Sequence, residues 1–252
     1  MTDNYEIELI NFFKDIKSRE WIETTRHGDQ CLGNAFEDLL GVKENNKNEA
    51  DFHGIELKTH RCITSSMVSL FSKSPSHPKG VNTYLRETFG VIEADSGKQI
   101  LNTTVGGDKY NTHRGGHRFK VIVDRTEKKL WLSIVNNNGI VLEGKNEGKN
   151  TNWDFSVLSN ALDKKLGKIA ITYGDEKDEN GMHFVRYTRM LIIQGLSLEK
   201  MLKAIECGDL MIDIRIGVYA SGKNKGKTHD HGTAFRIKLE SLLKYVDLLE
   251  ID

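Results

Sequence analysis

The apolar positions of the chain change period several times. Between Asn4 and Lys17, Ile7, Ile10, Phe13 and Ile16 recur near helical spacing with Phe12 beside them, which predicts an amphipathic helix. "GNAFEDLLG" begins and ends on Gly33 and Gly41, and Phe36, Leu39 and Leu40 make one apolar face. A short helix stopped by Gly41 is expected there. A polar loop, "VKENNKNEA", follows. In "DFHGIELKTH" the period falls to two: Ile55 and Leu57 alternate with Glu56 and Lys58, as on a strand. "SKSPSHPKG" holds both prolines, Pro75 and Pro78, and reads as a stiff loop, and "VNTYLRETFG" as a helix.

After a polar stretch, "RFKVIVD" and "LWLSIV" read as strands, and an Asn-Gly pair before "IVLEG" signals a hairpin. "FSVLSNALDKKLG" reads as a helix, and "KIAITYG" and "MHFVRYTRM" as strands. In "SLEKMLKAIECG" Ser197 is placed to cap a helix and Gly208 to end it. Two strands, "LMIDIRIGVY" and "GTAFRIKL", flank a loop rich in Gly, Lys and His, and "ESLLKYVDLL" predicts a closing helix. Helices and strands interleave throughout, so a mixed α/β fold is expected.

The strand at 55–61 carries the first candidate chemistry. Residues two apart share a strand face, so Glu56 and Lys58 point the same way while Ile55 and Leu57 enter the core. Gly54 permits a tight turn that returns Asp51 towards them. Two carboxylates at one point repel unless a hard divalent cation lies between them, and Mg²⁺ favours such a pair together with a substrate phosphate. An amine beside the pair suits the hydrolysis of a phosphodiester. The same spacing also fits a surface strand with a Glu–Lys pair.

The second candidate is the C-terminal ribbon. Ile212, Ile214, Ile216 and Val218 alternate with Asp213, Arg215, Gly217 and Tyr219, and Phe235, Ile237 and Leu239 with Arg236 and Lys238. Lys223, Lys225 and Lys227 make the intervening loop basic. A β-ribbon enters the DNA major groove, where Arg pairs with guanine and Asp accepts from cytosine. Asp213, Arg215 and Arg236 thus suit G·C pairs and the lysines phosphates. The alternative is a solvated face with an Asp213–Arg215 ion pair. His229 and His231 would share a strand face; they suit DNA contact, or half of a metal site without a third ligand.

Composition alters this picture little. The 252 residues carry 36 Lys+Arg against 36 Asp+Glu, so net charge gives no general bias towards nucleic acid and a basic surface would have to be local. Cys31, Cys62 and Cys207 form no close pair, so neither a disulfide framework nor a Cys-type zinc site is expected, and a reducing, cytoplasmic compartment is. "MTDNYEIELINFF" lacks the pattern of a signal peptide, and no apolar run is long enough to span a membrane.

Taken in order, "GNAFEDLLG", "ADFHGIELKTHR", "LFSKSPSHPKGVNTYLR", "LDKKLGKIA" and "CGDLMIDIRIGVYASGKNKGKTHDHGTAFRI" resemble the MvaI/BcnI family of Type II restriction endonucleases, relatives of the nicking protein MutH in the PD-(D/E)XK superfamily. The superfamily's Pro-Asp is Ala50-Asp51 here. The resemblance implies a restriction-endonuclease-like core of mixed β-sheet flanked by helices, in two lobes that form a DNA-binding cleft. Catalysis would lie mainly in residues 1–165 and recognition mainly in 166–252, with chain passing between lobes. It implies Asp51, Glu56 and the Leu57 carbonyl as ligands of Mg²⁺, Lys58 as the motif lysine, and Glu37 as an additional catalytic acid. Mn²⁺ is expected to substitute and Ca²⁺ to bind without supporting cleavage.

The implied reaction is attack of water on double-stranded DNA at a short GC-rich site of the CC-x-GG kind, leaving 5′-phosphate and 3′-hydroxyl ends. Asp213, Arg215, His229 and Arg236 match recognition positions. His77, between the two prolines, is a candidate for the minor groove at the central pair. A monomer that cuts each strand in turn is expected, paired with a methyltransferase of the same specificity. Two other readings stay open: a MutH-like nicking repair protein, and a DNA-binding protein without catalysis.

Overall fold

The structure is a computed structural model and describes residues 4–42, 50–62, 67–94 and 97–251. Most of the polar loop expected after Gly41 lies outside the described residues. In chain order the elements are α1 (Asn4–Ser18), β1 (Ile22–Thr24), α2 (Cys31–Leu39), β2 (Ile55–Arg61), β3 (Met67–Ser72), α3 (Val81–Phe89), β4 (Val91–Ile92), β5 (Gln99–Val105), β6 (His117–Asp124), β7 (Lys129–Asn136) and β8 (Val141–Glu143). They continue with β9 (Asn152–Asp154), α4 (Phe155–Lys165), β10 (Lys168–Glu179), β11 (Met182–Gln194), α5 (Leu198–Glu206), β12 (Leu210–Val218), β13 (Thr228–Asp230), β14 (Ala234–Lys238), α6 (Leu239–Leu242) and β15 (Asp247–Ile251). The mixed α/β class expected from the interleaving holds.

The chain forms two compact units. The first holds Met1–Val68, Leu162–Leu196 and Val246–Asp252, and the second Ser69–Ala161 and Ser197–Tyr245. This differs from a division at residue 165. The cause is the parallel pairing of β2 with β10, which runs from Ile55 opposite Lys168 to Arg61 opposite Gly174. A parallel pair needs a crossover connection, and most of the second unit lies within that crossover.

The first unit is a sheet of order β1-β11-β10-β2, with β15 on β11, covered by α1 and α2. Leu9, Phe13 and Ile16 make the buried stripe of α1 against Phe36, Ile55, Leu57 and Tyr187. Ile7 and Phe12, counted on the apolar face from spacing, are 46% and 39% exposed. The i, i+4, i+7 set that starts at Leu9 meets the sheet instead. β10 and β11 form one long hairpin closed at Asn180-Gly181, where both residues have positive φ.

The second unit has two sheets. One runs β3-β14-β12-β5-β4 with β13 on β12, and the other runs β6-β7-β8 with β9 on β7. The stretch read as merely polar before β6 contains β4 and β5, and β5 pairs antiparallel with β12. Ser197 Oγ accepts from the backbone of Lys200 at the start of α5, as its sequence predicts. The closing helix is a single turn, α6. Ser241, Lys244 and Tyr245 all donate to the Asp209 carboxylate, and the following residues extend as β15 along β11. Val246, Leu248, Leu249 and Ile251 serve a strand as readily as a helix, and the open sheet edge decides between them.

Candidate active site and nucleic-acid interface

In the first unit a two-residue turn builds the acidic site. Phe52 and Ile55 exchange both backbone hydrogen bonds, and His53 and Gly54 between them have φ of 45° and 88°. Positive φ at both central positions is the geometry of a type I′ turn, and glycine adopts it without steric cost. The turn folds Asp51 back along β2, and its Oδ2 accepts from the Leu57 backbone N–H at 3.0 Å. The ring of Tyr5 on α1 stacks on His53 with centroids 4.1 Å apart, fixing the turn from outside.

Glu56 is 1% exposed, so the solvated-strand alternative fails at this residue. Its Oε1 receives Lys58 Nζ at 2.5 Å, with Lys165 Nζ from the end of α4 at 3.8 Å. Its Oε2 is buried and has no hydrogen-bond partner. Burial pushes the Glu56 carboxyl above its ordinary range; Lys58 opposes this, Asp51 adds to it and Lys165 opposes it more weakly. A carboxylate with one orphaned buried oxygen, repelled by a second carboxylate, is a donor set that fits a hard divalent cation. Glu37, Leu57 and Lys58 line one open cavity of about 550 Å³, which brings α2 and β2 to a common surface. Lys165 was not singled out from sequence; only the fold carries a helix end to a strand more than a hundred positions earlier.

In the second unit Asp213 and Arg215 project from one face of β12. Asp213 is directly opposite Thr104 of β5, whose Oγ1 donates to Asp213 Oδ1 at 2.6 Å. Arg236 Nη1 donates to Asp213 Oδ2 at 2.5 Å. The ion pair of Asp213 is therefore with Arg236 and not with Arg215: same-face neighbours on one strand diverge, whereas a diagonal cross-strand pair converges. Asp213, Arg215 and His231 line an open cavity of about 730 Å³ with Thr103, Thr104, Asn111, His113 and Arg114. Asn111 ties this wall together, donating to Thr103 Oγ1 and the Thr104 carbonyl and accepting from the Phe119 N–H. Burial, then His117 and Arg114, hold His113 below its ordinary pKa. These β5–β6 residues were missed in the sequence because their stretch shows no clear alternation.

The ribbon closes tightly: Tyr219 accepts from Gly226 and donates to Lys227 across the loop, which leaves Lys223, Lys225 and Lys227 exposed at its tip. His229 stacks on Tyr219 at 4.0 Å and lies 4.1 Å from the His231 ring. Among the described residues these two histidines gather no third metal ligand. His77 belongs to the second unit, because β3 before it joins the sheet of β14 and β12. Its Nε2 lies 2.9 Å from Asp154 Oδ2, and its backbone bridges Asn152. Asp230 on β13 accepts from Ser74 and Asn82, which anchors both ends of the His77 loop to the ribbon.

A buried Glu56 beside the half-buried Asp51 and the Lys58 amine on a mixed sheet, and an Arg- and Asp-bearing β-ribbon, fit a site-specific deoxyribonuclease of Type II. The profile of the MvaI/BcnI restriction endonuclease family matches residues 10–245, and the chain belongs to that family. Two solved structures are similar over the full chain. Restriction endonuclease MvaI in complex with its cognate DNA substrate is 37% identical, covers 100% of both chains and superposes with a TM-score of 0.89. MvaI without DNA is 37% identical, covers 100% of this chain and 99% of that one, and gives 0.66. Comparison with curated proteins returned no match. Among the described residues no helix is long and apolar enough to cross a membrane.

Proposed function

We propose that this restriction endonuclease cleaves double-stranded DNA through Asp51, Glu56, Lys58 and Glu37, with Mg²⁺ held by Asp51, Glu56 and the Leu57 carbonyl. The observation that carries this reading is the buried, unpartnered Oε2 of Glu56 beside Asp51. Mg²⁺ held by these residues would supply positive charge against the negative charge that builds on the phosphate during attack by water. Lys58 pairs with Glu56 and would present its ammonium to the phosphate or the attacking water. Glu37 faces the same cavity and orients that water through its carboxylate. The products are 5′-phosphate and 3′-hydroxyl ends. Mn²⁺ substitutes, and Ca²⁺ occupies the site without supporting turnover.

Recognition falls to the ribbon. Arg215 and Arg236 donate to guanine, Asp213 accepts from cytosine while holding Arg236, and His229 and His231 complete the base-contacting face. Lys223, Lys225 and Lys227 hold phosphates. His77 extends the reading to the central pair of a CC-x-GG type of site. The DNA-bound form of the similar endonuclease supports duplex DNA as the partner. One acidic motif per chain supports a monomer that cuts the strands in turn, and a methyltransferase of matching specificity would protect the host.

Plasmid cleavage with Mg²⁺, followed by end mapping, tests the proposal. Discrete double-strand cuts with the stated ends, at one GC-rich sequence, are expected. Lone nicks or intact bound DNA would overturn the two-strand reaction, and cutting unchanged by chelation would overturn the metal assignment.

A further inference from the structure

The first unit carries a second group of metal-ligand side chains, away from Asp51 and Glu56 in sequence and on other elements. Cys31 is the first residue of α2, Glu176 lies near the end of β10, and His183 near the start of β11. One ligand atom from each, thiol, carboxylate and imidazole, lies within 4.8 Å of the other two. His183 Nε2 is 3.5 Å from Glu176 Oε2. A tetrahedral zinc site with ordinary bond lengths has ligand–ligand edges of about 3.3–3.8 Å, so small side-chain rotations close the set.

Carboxylate and guanidinium partners already orient two of these ligands. His183 Nδ1 lies 2.7 Å from Asp178 Oδ1, and an ionised carboxylate only accepts, so the proton sits on Nδ1. That leaves Nε2 as the ligating nitrogen, and it is buried without a hydrogen-bond partner on a side chain only 9% exposed. Carboxylate–histidine pairs of this kind orient metal-bound imidazoles. Arg61 takes Oε1 of Glu176 in the same manner and aims Oε2 at the cluster. Cys31 is buried, and its thiol donates to the Arg26 carbonyl at 3.2 Å, a bond it gives up on losing its proton to bind a cation. The fourth position is open to water or to the exposed His27, whose ring centroid is 5.0 Å from that of His183.

We infer that Cys31, Glu176 and His183 form a structural site for a borderline-soft divalent cation of the Zn²⁺ type, which staples the start of α2 to the β10–β11 hairpin. A mixed thiolate, imidazole and carboxylate set selects such a cation over Mg²⁺. The thiol loses its proton to solvent on binding. The staple fixes the helix that also carries Glu37, so it would stiffen the unit that holds the acidic pair.

Cobalt titration of the full chain tests this. One equivalent of Co²⁺ should give tetrahedral d–d bands and a thiolate-to-cobalt charge-transfer band, both displaced by one equivalent of Zn²⁺, and Zn²⁺ should raise the melting temperature. Cys31→Ser and His183→Ala should each lose the charge-transfer band or the binding itself. A protein with Cys62→Ser and Cys207→Ser should keep both, and so should Asp51→Asn, which separates this site from the acidic pair. Absence of tetrahedral bands in the wild-type chain would overturn the inference even if a variant fails to fold. So would a thiolate band that survives Cys31→Ser or vanishes with Cys62 and Cys207.

Discussion

Lys58 Nζ lies 2.5 Å from Glu56 Oε1 on one face of β2, yet the other oxygen of that carboxylate is buried with no partner. The pair is thus only half satisfied. Burial outweighs the lysine and raises the Glu56 pKa, so the folded chain binds this proton more tightly than the unfolded one. The stability contributed by this group is complete below the unfolded carboxyl pKa and is lost as pH rises through the raised folded value.

Glu56→Gln should therefore melt at a higher temperature than the wild type at neutral pH without divalent cation, and its stability should vary less with pH across the acid range. Cleavage should fall on the order of 10³-fold, the effect of losing several kcal/mol of charge stabilisation. Calorimetry and plasmid cleavage check both halves. A variant that melts lower, or cuts normally, contradicts the strained-carboxylate account.

Lys165 lies 3.8 Å from the same carboxylate and lowers its pKa. Lys165→Met should raise that pKa further, moving the acid limb of kcat/KM towards higher pH. The loss at neutral pH should be about fivefold or less, since a pair at this distance contributes about 1 kcal/mol or less. A uniform loss at every pH would mean that Lys165 only supports the fold.

Local geometry explains which parts of this site were legible. Asp51, Glu56 and Lys58 lie within eight positions, and strand periodicity with Gly54 in the turn was enough to bring them together. The burial of Glu56 was not legible, because it depends on the distant β10 beside it and on α4. Ser197 and Gly208 marked the ends of α5 by local chemistry, whereas the apolar positions after Leu242 fitted helix and strand alike. Asn180-Gly181 is as strong a hairpin signal as the Asn-Gly pair at Asn138-Gly139, but charged residues around it hid the alternation of the flanking strands. Thr104 and Asn111 had no sequence signal at all; their roles follow from the pairing of β5 with β12.

Asp213 accepts from both Thr104 and Arg236, so its removal takes one partner from each. Asp213→Ala should reduce discrimination between the cognate site and one with a substituted G·C pair by about 1–3 kcal/mol. Nonspecific binding should be retained, since the ribbon lysines are untouched. Competition binding with both duplexes distinguishes this from general unfolding. Equal loss on the two duplexes would remove Asp213 from base reading.

The lysines at the ribbon tip should behave in the opposite way. Replacing Lys223, Lys225 and Lys227 with Gln should weaken binding to all duplexes alike. The slope of log Kobs against log salt should fall by about 0.9 for each phosphate no longer neutralised. An unchanged slope would mean that the loop does not reach the backbone.

Gly217 offers a test that separates stability from recognition. It is buried in β12 directly opposite His229, and a Cβ added there would come within 3.0 Å of His231 Nε2. The neighbour is the far end of a side chain and can move, whereas a strand glycine is itself unfavourable by about 0.5–1 kcal/mol relative to alanine. Gly217→Ala should therefore leave the melting temperature unchanged or slightly raised while displacing the His231 ring. If that ring contacts DNA, affinity for the cognate site should drop, and the drop should vanish when both proteins compared already carry His231→Ala. Equal affinity of the Gly217→Ala and wild-type chains would exclude His231 from the DNA-contacting face.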